Sequence, residues 1–153
     1  MSVLSWGKPK LEKTTSTGGV AGSTWTEIDT PKEDTCKLTV TAGSEVTATQ
    51  EGGEIVDIRY NPATYVLEFD LFVKKGAARP FEDNNGIISG EYAFRLTPED
   101  TACEGFIMPR AVVKVEESYA AADGILLHYE AKALKPANGN MVQPYTESST
   151  STK

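Results

Sequence analysis

The chain has 153 residues, 39% hydrophobic and 24% charged, which suits one domain with a real core and excludes collagen-like or wholly disordered chains. Fifteen basic against twenty-two acidic side chains leave a formal charge of −7, which argues against a surface that grips phosphate backbones. No apolar run approaches the roughly 20 residues that span a bilayer. Met1 to Gly7 also lacks a charged leader followed by a hydrophobic stretch, so the expectation is a chain made and folded in a cytoplasm without membrane insertion.

In chain order, Val3, Leu4, Trp6 and Leu11 punctuate an extended N-terminal segment, and Lys13 to Ser23 is rich in threonine, serine and glycine, which predicts flexibility. A short strand is expected around Trp25 to Ile28. Cys36 to Gln50 reads as a hairpin: with Ala42-Gly43-Ser44 as a three-residue loop, Val40 faces Val46 and Leu38 faces Ala48. Thr39 then faces Thr47 and Thr41 faces Glu45, giving one apolar and one polar face. Glu45, Glu51, Glu54 and Asp57 make the densest acidic stretch; a solvated strand face and loop accounts for it.

Further strands are expected at Glu54 to Arg59 and, most clearly, at Thr64 to Lys75, where Tyr65, Leu67, Phe69, Leu71 and Val73 share one face. Between Gly76 and Gly90 the alternation lapses, and Arg79 to Gly86 suits one short helix, with Pro80 in its first turn and Gly86 past its end. Glu91 to Thr97 and Gly105 to Met108 read as short strands. Ala111 to Tyr119 and Ile125 to Lys135 read as a hairpin across Ala120 to Gly124, pairing Val115 with Tyr129, Lys114 with Glu130 and Glu116 with His128. No window sustains helical spacing and no repeat is visible. The expected fold is mainly β: an antiparallel β-sandwich or partly closed β-barrel with one short flanking helix and extended arms. Residues 1–146 form the single domain and Glu147 to Lys153 a flexible serine and threonine tail.

Catalytic signatures are missing from the sequence. His128 is the only histidine, which removes sites built from several imidazoles and weakens any triad, and its expected role is a polar neighbour of Glu116. There is no nucleophile elbow, Walker loop or dinucleotide fingerprint. Glu82-Asp83-Asn84-Asn85-Gly86 has calcium-loop composition, but placing Gly86 at the sixth position puts Phe81 and Tyr92 where oxygen ligands belong. Cys36 and Cys103 form no metal or redox motif and read as two reduced, packed thiols, with a disulfide as the alternative if the fold brings the two together. The expectation is a protein with no metal, no cofactor and no enzymatic activity.

Gly22-Ser23-Thr24-Trp25-Thr26-Glu27-Ile28, then Thr30 to Thr35, the Cys36 to Gln50 segment, the Glu51-Gly52-Gly53-Glu54 turn, the strand Tyr65 to Phe69 and the ending Tyr129 to Pro136 follow one another in an order that resembles bacteriophage tail tube proteins. The likeness covers roughly residues 3 to 145 and is one of element order, without an invariant motif. It implies a subunit that self-assembles into hexameric rings stacked as a conduit for DNA in a virion tail, or in a related contractile injection or type VI secretion device. Its partners would be copies of itself, tail tip or initiator, terminator and tape-measure proteins, and DNA only in transit. On this resemblance Thr39, Thr41, Glu45, Thr47, Thr49 and Glu51 would face the lumen, where a hydrated, phosphate-repelling surface is needed. Val3, Leu4, Trp6, Leu11 and Phe81 would meet neighbouring subunits, although the N-terminal segment serves equally well as an edge strand of its own sheet. The alternative is a non-catalytic β-sandwich that binds carbohydrate or protein, with Trp6, Trp25 or Phe81 as contact points.

Overall fold

The structure, a computed structural model, describes residues 3–146. The expected tail from Glu147 onward lies outside the described residues. Eleven strands are found among them: β1 Lys10–Thr17, β2 Val20–Ala21, β3 Thr26–Glu27, β4 Lys37–Thr41, β5 Glu45–Thr49, β6 Ile55–Tyr60, β7 Thr64–Phe72, β8 Tyr92–Thr97, β9 Gly105–Ala120, β10 Gly124–Ala133 and β11 Gln143–Tyr145. Nine form one curled antiparallel sheet, a half-barrel in the order β2-β1-β8-β9-β10-β7-β4, with β3 on β1 and β11 on β9. The mainly β expectation holds.

The core fills the concave side. Leu67, Phe69 and Leu71 of β7, Leu127, Tyr129 and Ala131 of β10, Val113 and Val115 of β9 and Phe94 of β8 alternate inward and are buried. Phe69 and Tyr129 are direct cross-strand partners, and their rings stack with centroids 5.4 Å apart. Phe81 closes the group, edge-on to Tyr92 at 4.8 Å. Such aromatic pairs add stability beyond the area they bury.

The C-terminal hairpin keeps the expected register, with Val115 opposite Tyr129, Lys114 opposite Glu130 and Glu116 opposite His128. Its first strand is longer than expected, because Gly105 to Met108 and Ala111 to Tyr119 are both parts of β9. Pro109, which cannot donate to a ladder, sits in the middle of that strand where the β8 pairing slips between Phe94 opposite Met108 and Tyr92 opposite Ala111. A bulge is where a sheet tolerates proline.

Three expectations are corrected. Lys13 to Ser23 is not loose: most of it belongs to β1 and β2, and β1 pairs with β8 along its length from Lys10 to Thr15. The helix expected over Arg79 to Gly86 is absent. Asn84 and Ile87 exchange backbone hydrogen bonds (2.9 and 3.1 Å) around Asn85 and Gly86, whose φ angles of 55° and 89° describe a type I′ turn, and Asn-Gly is the dipeptide that favours it. The hairpin across Ala42-Gly43-Ser44 is also absent. Val40 faces Tyr65 and Leu38 faces Leu67, while Val46 faces Arg59 and Ala48 faces Asp57.

Candidate functional site

Those last pairings describe one long ribbon. Thr41 opposite Thr64 is followed by Glu45 opposite Tyr60 in the same register, so β4 continues into β5 and β6 into β7. Between them the Asn61 amide donates to the Ser44 carbonyl (2.9 Å) and the Asn61 side chain to Ser44 Oγ (2.6 Å). The ribbon passes Gly43, where a Cβ would run into the Asn61 carbonyl, so only glycine allows this close approach. It reverses at the Glu51-Gly52-Gly53-Glu54 turn that the sequence suggested, with Gly52 and Gly53 at φ 94° and 89°. There the Gln50 amide donates to the Glu54 carbonyl (3.0 Å) and the Gln50 side chain to Glu54 Oε1 (2.8 Å).

Beyond Gly43, β5 and β6 touch no strand of the described residues except each other. Every residue of both is exposed. At about 3.3 Å per residue the two-stranded arm reaches roughly 20 Å from the sheet. Val56 (63% exposed), Ile58 (42%) and Tyr60 (69%) alternate along one face of β6, with Val46 and Ile55 on the other side of the arm. A two-stranded ribbon is marginal on its own in water, and this one carries uncovered aliphatic and aromatic groups and two unpaired edges.

All six residues expected at a lumen are exposed. Thr39 and Thr41 lie on the outward face of the main sheet opposite Val66 and Thr64, whereas Glu45 and Thr47 lie on the arm opposite Tyr60 and Ile58. They therefore share a ribbon but not a uniformly polar surface. Of the expected interface residues, Val3, Leu4 and Trp6 are exposed, while Leu11 (1% exposed) and Phe81 (5%) fill the chain's own core and are withdrawn from any partner in this fold. Of the aromatics suggested for a binding module, Trp25 is covered by the Arg95 guanidinium at 4.4 Å, which also lies 5.0 Å from Tyr145 and donates to Glu12 (2.9 Å).

The outward face of the main sheet holds a second group. His128 is opposite Glu116 on β9, as expected, yet its hydrogen bonds run the other way. Nδ1 meets Asp70 at 2.5 Å, and Nε2 lies 3.2 Å from Glu130 and 3.7 Å from Glu68. Partial burial works against charge on this ring, but the hydrogen bonds to Asp70 and Glu130 outweigh it and raise its pKa. Sequence reading missed Asp70 and Glu68 because they reach His128 only through the β7–β10 pairing, which connects strands more than fifty residues apart. Neither Cys36 nor Cys103 is in a disulfide, both are half-buried, and burial pushes the Cys36 thiol up to about 11.

The fold and the arm define a β protein with an open sheet and an unpartnered ribbon. No protein-family model matches the chain, and no curated protein matches it. Among the described residues no helix is long and apolar enough to cross a membrane.

Proposed function

We propose that the chain is a structural subunit that associates with copies of itself, and that its assemblies are stacked rings forming a tube like those of phage tails. The observation that carries this reading is the β5–β6 arm, a ribbon exposed along its whole length with Val56, Ile58 and Tyr60 aligned on one strand. Burying such a stripe against another subunit recovers about 25 cal/mol per Å² of apolar surface, and satisfying its free edges removes the liability of an open ribbon. The edge of the main sheet supports the same reading: β4 ends the strand order and leaves its outer side unpaired by any other strand of the described residues. Its line continues into β5, so a neighbour that adds to β4 meets the arm as well.

A second copy is the occupant favoured here, because arm and open edge occur together in each molecule and identical subunits related by rotation bring one against another. In this reading the DNA conduit, the virion location and the tip, terminator and tape-measure partners follow from the tube, and the chain performs no chemistry.

Sedimentation velocity and negative-stain microscopy of the purified full chain, at rising concentration, test the proposal. Rings and tubes are expected. Ile58→Lys combined with Tyr60→Lys is expected to abolish stacking while leaving the β-sheet circular dichroism unchanged. A monomer that persists at high concentration, or tubes that form normally from the double variant, would refute it.

A further inference from the structure

The outward face of the main sheet carries a constellation of charged groups. In the β7–β10 register Glu130 lies directly opposite Glu68 and His128 directly opposite Asp70. Two carboxylates thus meet across adjacent strands, an arrangement that destabilises a sheet unless a cation compensates it. Because a carboxylate only accepts, Asp70 places a ring proton on Nδ1 of His128. In the neutral ring the remaining lone pair, on Nε2, then faces Glu130 Oε2 at 3.2 Å and Glu68 Oε1 at 3.7 Å. In that neutral form three electron-pair donors converge, whereas in the protonated ring Nε2 donates to Glu130, so a metal ion would take the place of that proton. Lys114 holds the other oxygen of Glu130, Oε1, at 3.5 Å and so leaves Oε2 to the histidine. Lys37 stands opposite Glu68 on β4, and Glu116 opposite His128 on β9 adds further negative charge.

We propose that Glu68, His128 and Glu130 bind one divalent transition-metal ion of the zinc class, with Asp70 as the positioning residue for the imidazole. Metal–ligand bonds of about 2.1 Å in a tetrahedron separate the donor atoms by about 3.4 Å. The two Nε2-to-oxygen separations, 3.2 and 3.7 Å, bracket that edge, and all three donors lie within 4.8 Å of one another. A carboxylate on the far nitrogen is the partner that fixes the tautomer of a metal-bound histidine and raises its basicity. The mixed nitrogen and oxygen set suits zinc better than calcium or magnesium, which take oxygen ligands. Side chains 23% to 31% exposed leave the site open to an entering ion, and three protein ligands leave a fourth position for water.

The test is titration of the full chain, freed of metal by a chelator, with zinc chloride by calorimetry and with cobalt(II) by visible absorption. One ion per chain is expected, with cobalt d–d bands and no thiolate charge-transfer band. Glu68→Gln and Glu130→Gln keep side-chain shape and relieve repulsion, so both are expected to fold, with affinity lowered by about tenfold or more. Asp70→Asn is expected to lower affinity by about 10-fold to 100-fold and to shift the cobalt bands. Three results overturn the proposal: no stoichiometric uptake by the folded chain, a thiolate band, or affinity unchanged in Glu68→Gln, Glu130→Gln and His128→Asn. The first would leave the lone pair to a proton, the second would assign the ion to Cys36 or Cys103, and the third would place it elsewhere on the surface.

Discussion

Ile58 and Leu67 are both β-strand aliphatics in alternating patterns, nine residues apart along the β6–β7 leg of one ribbon. Leu67 is sealed against Phe69 and its neighbours, and Ile58 stands in solvent. Truncating a sealed leucine removes transfer energy and leaves a cavity, so Leu67→Ala is expected to lower unfolding free energy by about 2 to 5 kcal/mol. Ile58→Ala creates no cavity in the free subunit and is expected to stay within about 0.5 kcal/mol of the parent. Urea unfolding of the dilute, unassembled protein measures both. Equal losses would mean that the arm packs on the domain. Gly43 has a different role, since a side chain there meets the Asn61 carbonyl. Gly43→Val is expected to raise amide exchange across residues 45–60 while β9 and β10 keep their protection, and uniform protection would show that the bend tolerates a side chain.

At the scale of elements, what the sequence revealed depended on whether one register could be told from another. The β9–β10 hairpin was legible because a shift of one residue would have put Lys114 and Glu116 against apolar partners, and the observed pairs match the expected ones. The β4–β5 segment was not legible, since alternation runs on through Ala42-Gly43-Ser44 whether the chain folds back there or continues. The Gly52-Gly53 pair ten residues later supplied the reversal instead. The helix expected around Pro80 failed for a related reason: Asn85-Gly86 was treated as a helix end when its φ angles build a hairpin turn. This distinction is testable, because the two structures rank substitutions at Asn85 oppositely. In the turn Asn85→Gly is expected to change stability by less than about 0.5 kcal/mol, whereas Asn85→Val costs about 1 kcal/mol or more at positive φ. A helix interior would penalise glycine more than valine. The His128 group was hidden for the same long-range reason, since no local pattern brings Asp70 and Glu68 beside residues 128 and 130.

For the whole molecule, the sealed side of the half-barrel sets how stability responds to alkali. Burial pushes the Cys36 thiol from 9.0 up to about 11 and the Tyr129 hydroxyl from 10.0 up to about 12. Both groups are neutral when protonated, so the folded chain holds their protons more tightly than the unfolded chain does. Above pH 9 the unfolded chain therefore binds fewer protons than the folded one, and stability falls as pH rises. The contribution is complete below pH 9 and is lost progressively as pH climbs through the two folded values, 11 and 12. Urea midpoints by circular dichroism are expected to show no effect of these groups between pH 7 and 8, and to decline from pH 9 upward. Cys36→Ala removes the earlier of the two titrations, so its decline is expected to begin nearer pH 10, where Tyr129 alone takes over. A parent chain whose midpoint stays level from pH 8 to pH 11 would mean that neither group is desolvated in solution, and that the concave face is open to water.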